Sequence, residues 1–404
     1  MHGEFVSPNA TDRVPRLAAT TGPVCPPKVL FVSHTANFSK FNRPFMRWFM
    51  DQGYQVHYAS AGEEPVLDCH RHFTVPLERS PYDRRNIQAY HMLKEIIQRE
   101  GYALIHCHTP MGGVVTRFAA QSARRQGTKV LYTAHGFHFY RGAPLVNWML
   151  YYTMEKCLAR YTDCIITLNE EDYQLARRHF HTQVVKIHGV GVSLNRFHPL
   201  PEPQRQQLRQ SLGLAPEDFV LVYVAEFIPR KDHRFLLECV KHLEQEIPSF
   251  QVLLAGKGLL FEEMQQLARD LQIQDRVHFL GYRQDVEKLY QAADLAVSTS
   301  FQEGLPINVV ESMASGLPVV CADIRGQTDL IEPGRNGYLY RLGDSRDLEQ
   351  KILQLYRFPQ ERQEMGLHNL QDVQKYSLPQ ALHTMEEIYQ QFCPRKERAH
   401  GTGS

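Results

Sequence analysis

The sequence predicts an α/β protein of two facing domains, each a parallel sheet wrapped by helices. Three observations carry this. Strand-like and helix-like segments alternate almost to the end of the chain, and the alternation breaks once, at a Pro- and Gln-rich stretch near residue 200. At 404 residues the chain is too long for one compact core and suits two domains of roughly 150 to 200 residues.

The first series opens with residues 28–33 (KVLFVS), a short β-rich apolar run, followed by apolar residues at helical spacing over 42–52, then Gly53 and a strand over 55–59. It continues with a helix from about 86 to 100, a strand over 103–106, a helix from about 113 to 126, and strands over 129–133 and 164–168. After Phe197-His198-Pro199, the Pro- and Gln-rich residues 200–212 mark the domain boundary, giving domains over 27–198 and 199–377. The second series runs strand 219–224, helix 234–244, strand 251–255, helix 261–271, strand 277–280, helix 286–292, strand 295–298, helix 307–315 and strand 318–321. A last amphipathic stretch over 378–392 lies beyond its natural end. Two such sheets put their strand ends around one crevice, the usual ligand position in open parallel sheets.

Composition limits the function classes. Lys plus Arg total 45 against 44 Asp plus Glu, so no global field favours nucleic acid, and any anion site must be local. The eight cysteines, Cys25, Cys69, Cys107, Cys157, Cys164, Cys239, Cys321 and Cys393, include no C-x-x-C pair, which fits reduced thiols in a cytosol. Residues 1–26 lack an apolar run long enough for a signal peptide and read, like 394–404, as a loose tail. No apolar stretch reaches the roughly 18 residues of a membrane span, so any membrane contact is expected to be peripheral.

The sharpest motif is Phe301-Gln302-Glu303-Gly304-Leu305-Pro306-Ile307-Asn308-Val309-Val310-Glu311. A helix starting near Pro306 aims unpaired N–H groups and the positive end of its dipole at the crevice, which suits a diphosphate. Glu303 and Glu311, roughly 12 Å apart if wholly helical, are too distant for a glycosidase pair but suit hydroxyls at opposite ends of a nucleotide sugar. Spacing alone equally allows a solvated helix face.

Arg230-Lys231 follows a strand end and offers cations to phosphate, unless it is an ordinary basic loop. Gly256 and Gly258, around Lys257, allow backbone to approach a flat ligand, or simply turn the chain. His135, in Thr133-Ala134-His135-Gly136-Phe137-His138, ends a strand of the first domain; such a histidine hydrogen-bonds a ligand less often than it serves structure. Residues 37–41 lack the glycine-rich dinucleotide fingerprint. His106-Cys107-His108 and the His70/His72 pair resemble no closed zinc site, and Asp-x-Asp is absent, so no metal or other cofactor is expected.

Together these residues resemble the retaining family 4 glycosyltransferases, whose GT-B fold has two facing Rossmann-like domains. The resemblance spans about 28–392 and rests on Glu303-x7-Glu311 with Ala314-Ser315-Gly316-Leu317-Pro318-Val319, the linker from Gly191-Val192-Ser193 to Phe197-His198-Pro199, and Ala293-Asp294-Leu295. It implies that helix 378–393 crosses back to the first domain. It also implies roles: Arg230 and Lys231 at the diphosphate, Glu303 and His135 at the donor sugar, Glu311 at the ribose. Backbone amides of Leu305, Pro306's neighbour Ile307 and the Gly304 turn would meet phosphates, and the loop with Arg283 would border the base. Glu226 stands where many relatives carry a basic residue, leaving more of the clamp to Arg230.

Ser80-Pro81, His106-Cys107-His108-Thr109-Pro110, Ala134-His135-Gly136-Phe137-His138-Phe139-Tyr140 with Gly142-Ala143-Pro144, and Leu168-Asn169-Glu170-Glu171-Asp172 resemble a bacterial branch associated with capsule and exopolysaccharide assembly. That branch implies a UDP-sugar donor and a polyprenyl-diphosphate-linked glycan acceptor at the inner leaflet. Residues 148–152 with Arg84, Arg85, Arg124 and Arg125 would then dock on anionic lipid, or be core and solvated charges. A soluble acceptor, a nucleotide-sugar epimerase on the same fold and a non-catalytic partner subunit are the other readings; the last would be expected to lack Glu303 or Lys231.

Overall fold

The computed structural model describes residues 26–393. The tails expected at 1–26 and 394–404 lie outside the described residues, apart from Pro26. The chain forms two Rossmann-like domains, each a twisted sheet whose described strands are all parallel.

In the first domain the strands are β1 (Lys28–Thr35), β2 (Gln55–Ala61), β3 (Arg71–Thr74), β4 (Leu104–His108), β5 (Lys129–Ala134), β6 (Cys164–Thr167) and β7 (Gln183–Lys186), in the order β3-β2-β1-β4-β5-β6-β7. In the second they are β8 (Phe219–Val224), β9 (Phe250–Ala255), β10 (Val277–Phe279), β11 (Leu295–Ser298), β12 (Val319–Ala322) and β13 (Gly337–Tyr340), in the order β10-β9-β8-β11-β12-β13. Central strands are apolar on both faces because helices cover both: Leu30 and Val32 enter one core layer, Val29 and Phe31 the opposite one. Leu221 and Tyr223 are divided from Val220 and Val222 in the same way.

The alternation was legible where apolar runs were unbroken. Residues 219–224, 286–292 and 295–298 form the elements expected at those bounds. The expected helix over 113–126 starts earlier and is two: Pro110–Ala119 and Gln121–Arg125. The stretch 200–212 is not merely a linker, since Glu202–Ser211 is a helix whose Arg205 and Arg209 bond Asp294. Strands β3, β7 and β13 and the helices Glu170–His179, Ser345–Arg357 and Pro359–Asp372 also escape the sequence reading. The edge strands among them span only four residues each, too few for a clear period.

The polypeptide crosses between domains twice, side by side. Val192 N–H donates to Tyr376 O and Leu378 N–H to Val192 O, each at 2.9 Å. Beyond the second crossing, helix Leu378–Phe392 packs on the first domain, with Met385, Ile388 and Tyr389 in one core layer with Phe45 and Phe49. At the opposite edge of the contact lies a glycine seam. A Cβ on Gly304 would meet His135 O at 1.8 Å, and one on Gly326 would meet Gly304 O at 2.2 Å, so only glycine permits the approach.

Candidate active site

Between the domains lies a cleft of about 1320 Å³, lined by strand-end loops of both sheets. Single small-molecule pockets usually fall within about 300–1,000 Å³, so this one has space for two reactants.

Local sequence explains how the cations reach it. After β8, Pro229 opens a single tight turn, Pro229–Lys231, that ends at Asp232 in the left-handed region (φ 47°). Asp tolerates that conformation, and its side chain accepts the Phe235 N–H as N-cap of helix His233–Glu246. The turn is held by Tyr223 Oη and Thr299 Oγ1 donating to Lys231 O, and by Phe301 N–H donating to Arg230 O. Lys231 is buried, and Arg230 reaches further into solvent.

Both cations converge on Glu303. Lys231 Nζ contacts Glu303 Oε1, and Arg230 Nη1 lies 3.3 Å from Oε2. Burial would raise the Glu303 carboxyl, but Lys231 and Arg230 outweigh it and hold the group below its usual range. Burial lowers the Lys231 ammonium, and Arg230 adds to this, while Glu303 opposes it. Glu226 also lines the cleft and adds negative charge near Lys231.

The helix after the motif is Ile307–Ala314, so the span from Glu303 to Glu311 is only half helical. No side chain caps its start, and Pro306, Ile307 and Asn308 line the cleft. Glu311, one turn from its end, is half-buried beside Tyr290 Oη at 3.4 Å. Burial pushes its carboxyl up to about 7, with Arg196 and Lys40 pulling the other way.

Across the cleft, His135 follows β5. Its Nε2 lies 3.3 Å from His108 Nδ1, the edge of Phe38 packs on its ring, and burial lowers its pKa to about 4, leaving it neutral near pH 7. Thr109 follows β4 at φ 65°, an unfavourable backbone for a β-branched residue, and also lines the cleft.

Thus His135, Arg230, Lys231, Glu303, Gly256, Arg283, Leu305, Pro306, Ile307 and Glu311 all border one cavity. Two sequence candidates do not. Gly258 sits against the Phe227 carbonyl, where a Cβ would meet Phe227 O at 2.3 Å, and Gly304 forms the interdomain seam. Arg283 is already forked onto Asp285, both bonds at 2.8 Å.

Three of the four paired histidines are satisfied within the protein: His106 bonds Tyr389 Oη and Thr133 Oγ1, His70 accepts the Val56 N–H, and His72 pairs with Ser60, whereas His108 meets His135 through Nδ1 and its buried Nε2 has no hydrogen-bond partner among the described residues. Among the described residues no group of three His, Cys, Asp or Glu is placed to hold a metal ion. Sequence reasoning gave no role in the cleft to Lys40, Arg196 or Asn308; Lys40 and Arg196 lie on separate segments far from the motif, and Asn308 stands inside it without a chemistry of its own to mark it.

The chain matches the family model for glycosyl transferases group 1 over residues 204–369 and that for glycosyl transferase 4-like domains over 28–169. It is 41% identical over 370 residues to "Putative glycosyltransferase EpsD" of Bacillus subtilis (strain 168), covering 90% of this chain and 97% of that one. It is 28% identical over 285 residues, 69% of this chain and 72% of the relative, to the UDP-Gal:alpha-D-GlcNAc-diphosphoundecaprenol alpha-1,3-galactosyltransferase of Escherichia coli. Among solved structures, Anabaena Alr3699/HepE in complex with UDP and glucose superposes with a TM-score of 0.75 at 21% identity, over 90% of this chain and 99% of that one, which bears on the fold.

Proposed function

Since the chain belongs to the glycosyl transferases group 1 family and is a GT-B glycosyltransferase of the bacterial exopolysaccharide type, we propose that it moves a hexose, with retention and without a metal, from a UDP-sugar to a polyprenyl-diphosphate-linked glycan. The observation that carries the reading is the convergence of Arg230, Lys231, Glu303 and Glu311 from one domain with His135 from the other around a single cleft. In this reading residues 199–377 hold the donor, and 27–198 with helix 378–393 hold the acceptor.

The acceptor hydroxyl attacks the anomeric carbon on the face from which the diphosphate leaves. The bond from that carbon to the phosphate oxygen breaks as the new glycosidic bond forms, and the departing phosphate oxygen takes the hydroxyl proton. No protein nucleophile is required. Arg230, Lys231 and the uncapped helix start stabilise charge on the leaving group, the preorganised electrostatics that usually contributes most to catalysis. Glu303 and neutral His135 orient the sugar, and Glu311 accepts the ribose hydroxyls.

The test is thermal unfolding against UDP, GDP, ADP, CMP and their sugars with EDTA present. A ligand of the native state stabilises it by RT ln(1 + [L]/Kd), about 2.7 kcal/mol at a hundred times Kd, and so raises the midpoint. One nucleotide is expected to shift the wild type, and neither Lys231→Ala nor Glu311→Ala relative to its own baseline. No shift with any nucleotide sinks the donor site.

A lipid-linked acceptor, as in the Escherichia coli relative, is favoured over a soluble one by an exposed strip beside the cleft. Leu145, Val146 and Met149 are 81%, 64% and 77% exposed, and Tyr151 and Met154 just beyond them line the cavity. Over residues 138–160 the one carboxylate, Glu155, is buried against Arg117, whereas Arg141, Lys156 and Arg160 are exposed, so the strip faces outward with net positive charge.

The sequence-based docking set is narrower than expected. Trp148 packs on Phe139 and Tyr151 on His138, while Arg85 and Arg124 pair with carboxylates. Among the described residues no helix is long and apolar enough to cross a membrane. The protein is expected to float with phosphatidylglycerol vesicles, and the Leu145→Asp/Met149→Asp variant to stay behind with its nucleotide response intact. A wild type that stays behind points to the soluble acceptor.

A further inference from the structure

Motif segments that the donor chemistry leaves unused, 136–140 and 169–172, meet at one side chain of the second domain. Arg325, in the loop after β12, is 4% exposed and spends all three guanidinium nitrogens on defined partners. Nη1 donates to Asp172 Oδ1 at 2.6 Å, Nη2 to Phe137 O at 3.0 Å and Nε to Glu303 O at 3.1 Å. Its Cζ lies 4.7 Å from the centre of the Tyr140 ring.

Asp172 is fully buried in the first domain, where its Oδ2 accepts from Phe137 N–H at 3.0 Å and Asn169 Nδ2 at 2.9 Å. One turn away, Glu170 N–H donates across the same boundary to Asp329 Oδ1 at 2.9 Å. The Gly136, Gly304 and Gly326 seam brings the two backbones close enough for these bonds.

We propose that Arg325 and Asp172 form a latch made when the domains close, with Arg325 as a positioning residue that fixes the spacing between Glu303 and the His135–Phe137 loop. The two groups that would orient the donor sugar come from opposite domains, and Arg325 is bonded to the main chain of Glu303 and to that of Phe137, two residues from His135. A buried charge with its counter-charge on the other domain is satisfied in the closed state; in an open cleft both are hydrated instead. Lysine cannot replace it, because an ammonium lacks the planar fork that reaches three acceptors. The kinetic part rests on the donor reading above; the geometric part does not.

The experiment compares the full-length wild type with Arg325→Ala, Arg325→Lys and Asp172→Asn, and with Gly304→Ala, which blocks the seam independently. Solution X-ray scattering reports domain separation, and hydrogen exchange reports the Phe137 amide. UDP titration reports nucleotide affinity, and turnover of UDP-glucose or UDP-galactose, whichever the wild type uses, gives kcat and KM.

The latch variants are expected to scatter as more open and to exchange the Phe137 amide at least about tenfold faster. UDP affinity should stay within about threefold, while kcat falls about a hundredfold, the size of a misplacement of about 1 Å. Should Arg325→Ala fail to fold, Arg325→Lys and Asp172→Asn carry the same comparison. Unchanged scattering and exchange overturn the latch, and so does a loss of UDP affinity in step with melting temperature, which is the mark of a merely structural residue. A wild type that binds no UDP leaves the scattering and exchange arms intact and condemns the donor reading alone.

Discussion

Lys231→Ala is expected to lower transfer by about a hundred- to a thousandfold, the usual cost of deleting one preorganised group aimed at developing charge. It is also expected to cost about 3–5 kcal/mol of stability, because Glu303 is left buried with the more exposed Arg230 as its remaining counter-charge. The two losses have different origins and separate in the double variant Lys231→Met/Glu303→Gln. Removing both charges relieves the uncompensated carboxylate, so melting recovers most of the way, while transfer stays lost. Denaturation and initial-rate measurements on the two variants read this out. If Lys231→Ala kept wild-type transfer, the buried ammonium would be a structural counter-ion and nothing more.

Affinity for a UDP-sugar should rise about tenfold between pH 6 and pH 8, since a carboxyl near 7 passes from mostly protonated to mostly ionised over that interval. In the proposed ribose role Glu311 would accept two hydroxyls fully only when ionised, so binding would expel the proton that burial retains in the free protein. A sugar diphosphate has no titrating group of its own in this window, which makes it a better probe than UDP. Glu311→Gln should flatten the profile and weaken binding at pH 8 by about ten- to a hundredfold, the worth of a hydrogen bond to a charged group. The same proton acts in reverse on the empty protein. Its native pKa lies above the unfolded 4.5, so this group's contribution to stability declines as pH rises from 4.5 to about 7. Titration calorimetry across the range checks both; a flat wild-type profile would remove Glu311 from the ribose site.

The two-domain architecture was readable because central parallel strands are continuous apolar runs, as in residues 28–33 and 219–224, and because helices between them keep a 3.6-residue period. The motif from Glu303 to Glu311 was readable for a similar reason: strand, turn and helix follow one another within a few residues. What escaped depends on distant pairing. Nothing local to Arg325 forecasts Asp172, 153 residues away. Gly304 reads locally as a turn before a helix, and only the opposing His135 carbonyl reveals why no side chain fits. The helix Glu202–Ser211, inside the stretch that marks the domain boundary, escapes the sequence because Pro and Gln obscure its period, whereas in the fold Arg205 and Arg209 anchor it to Asp294.

The paired crossings at Val192 and Ser377 mean that the second domain is topologically an insertion, entered and left at neighbouring points on the backbone. A chimaera that exchanges residues 193–376 with those of a related enzyme needs only two splice points, and both fall at the same place in space. The helix Leu378–Phe392 stays with its own first domain in such an exchange, so its packing against Phe45 and Phe49 is untouched. The bridge between Val192 and Ser377 then holds the host's two cut ends side by side, by main-chain bonds to Tyr376 O of the graft and from Leu378 N–H of the host that depend on no particular side chain.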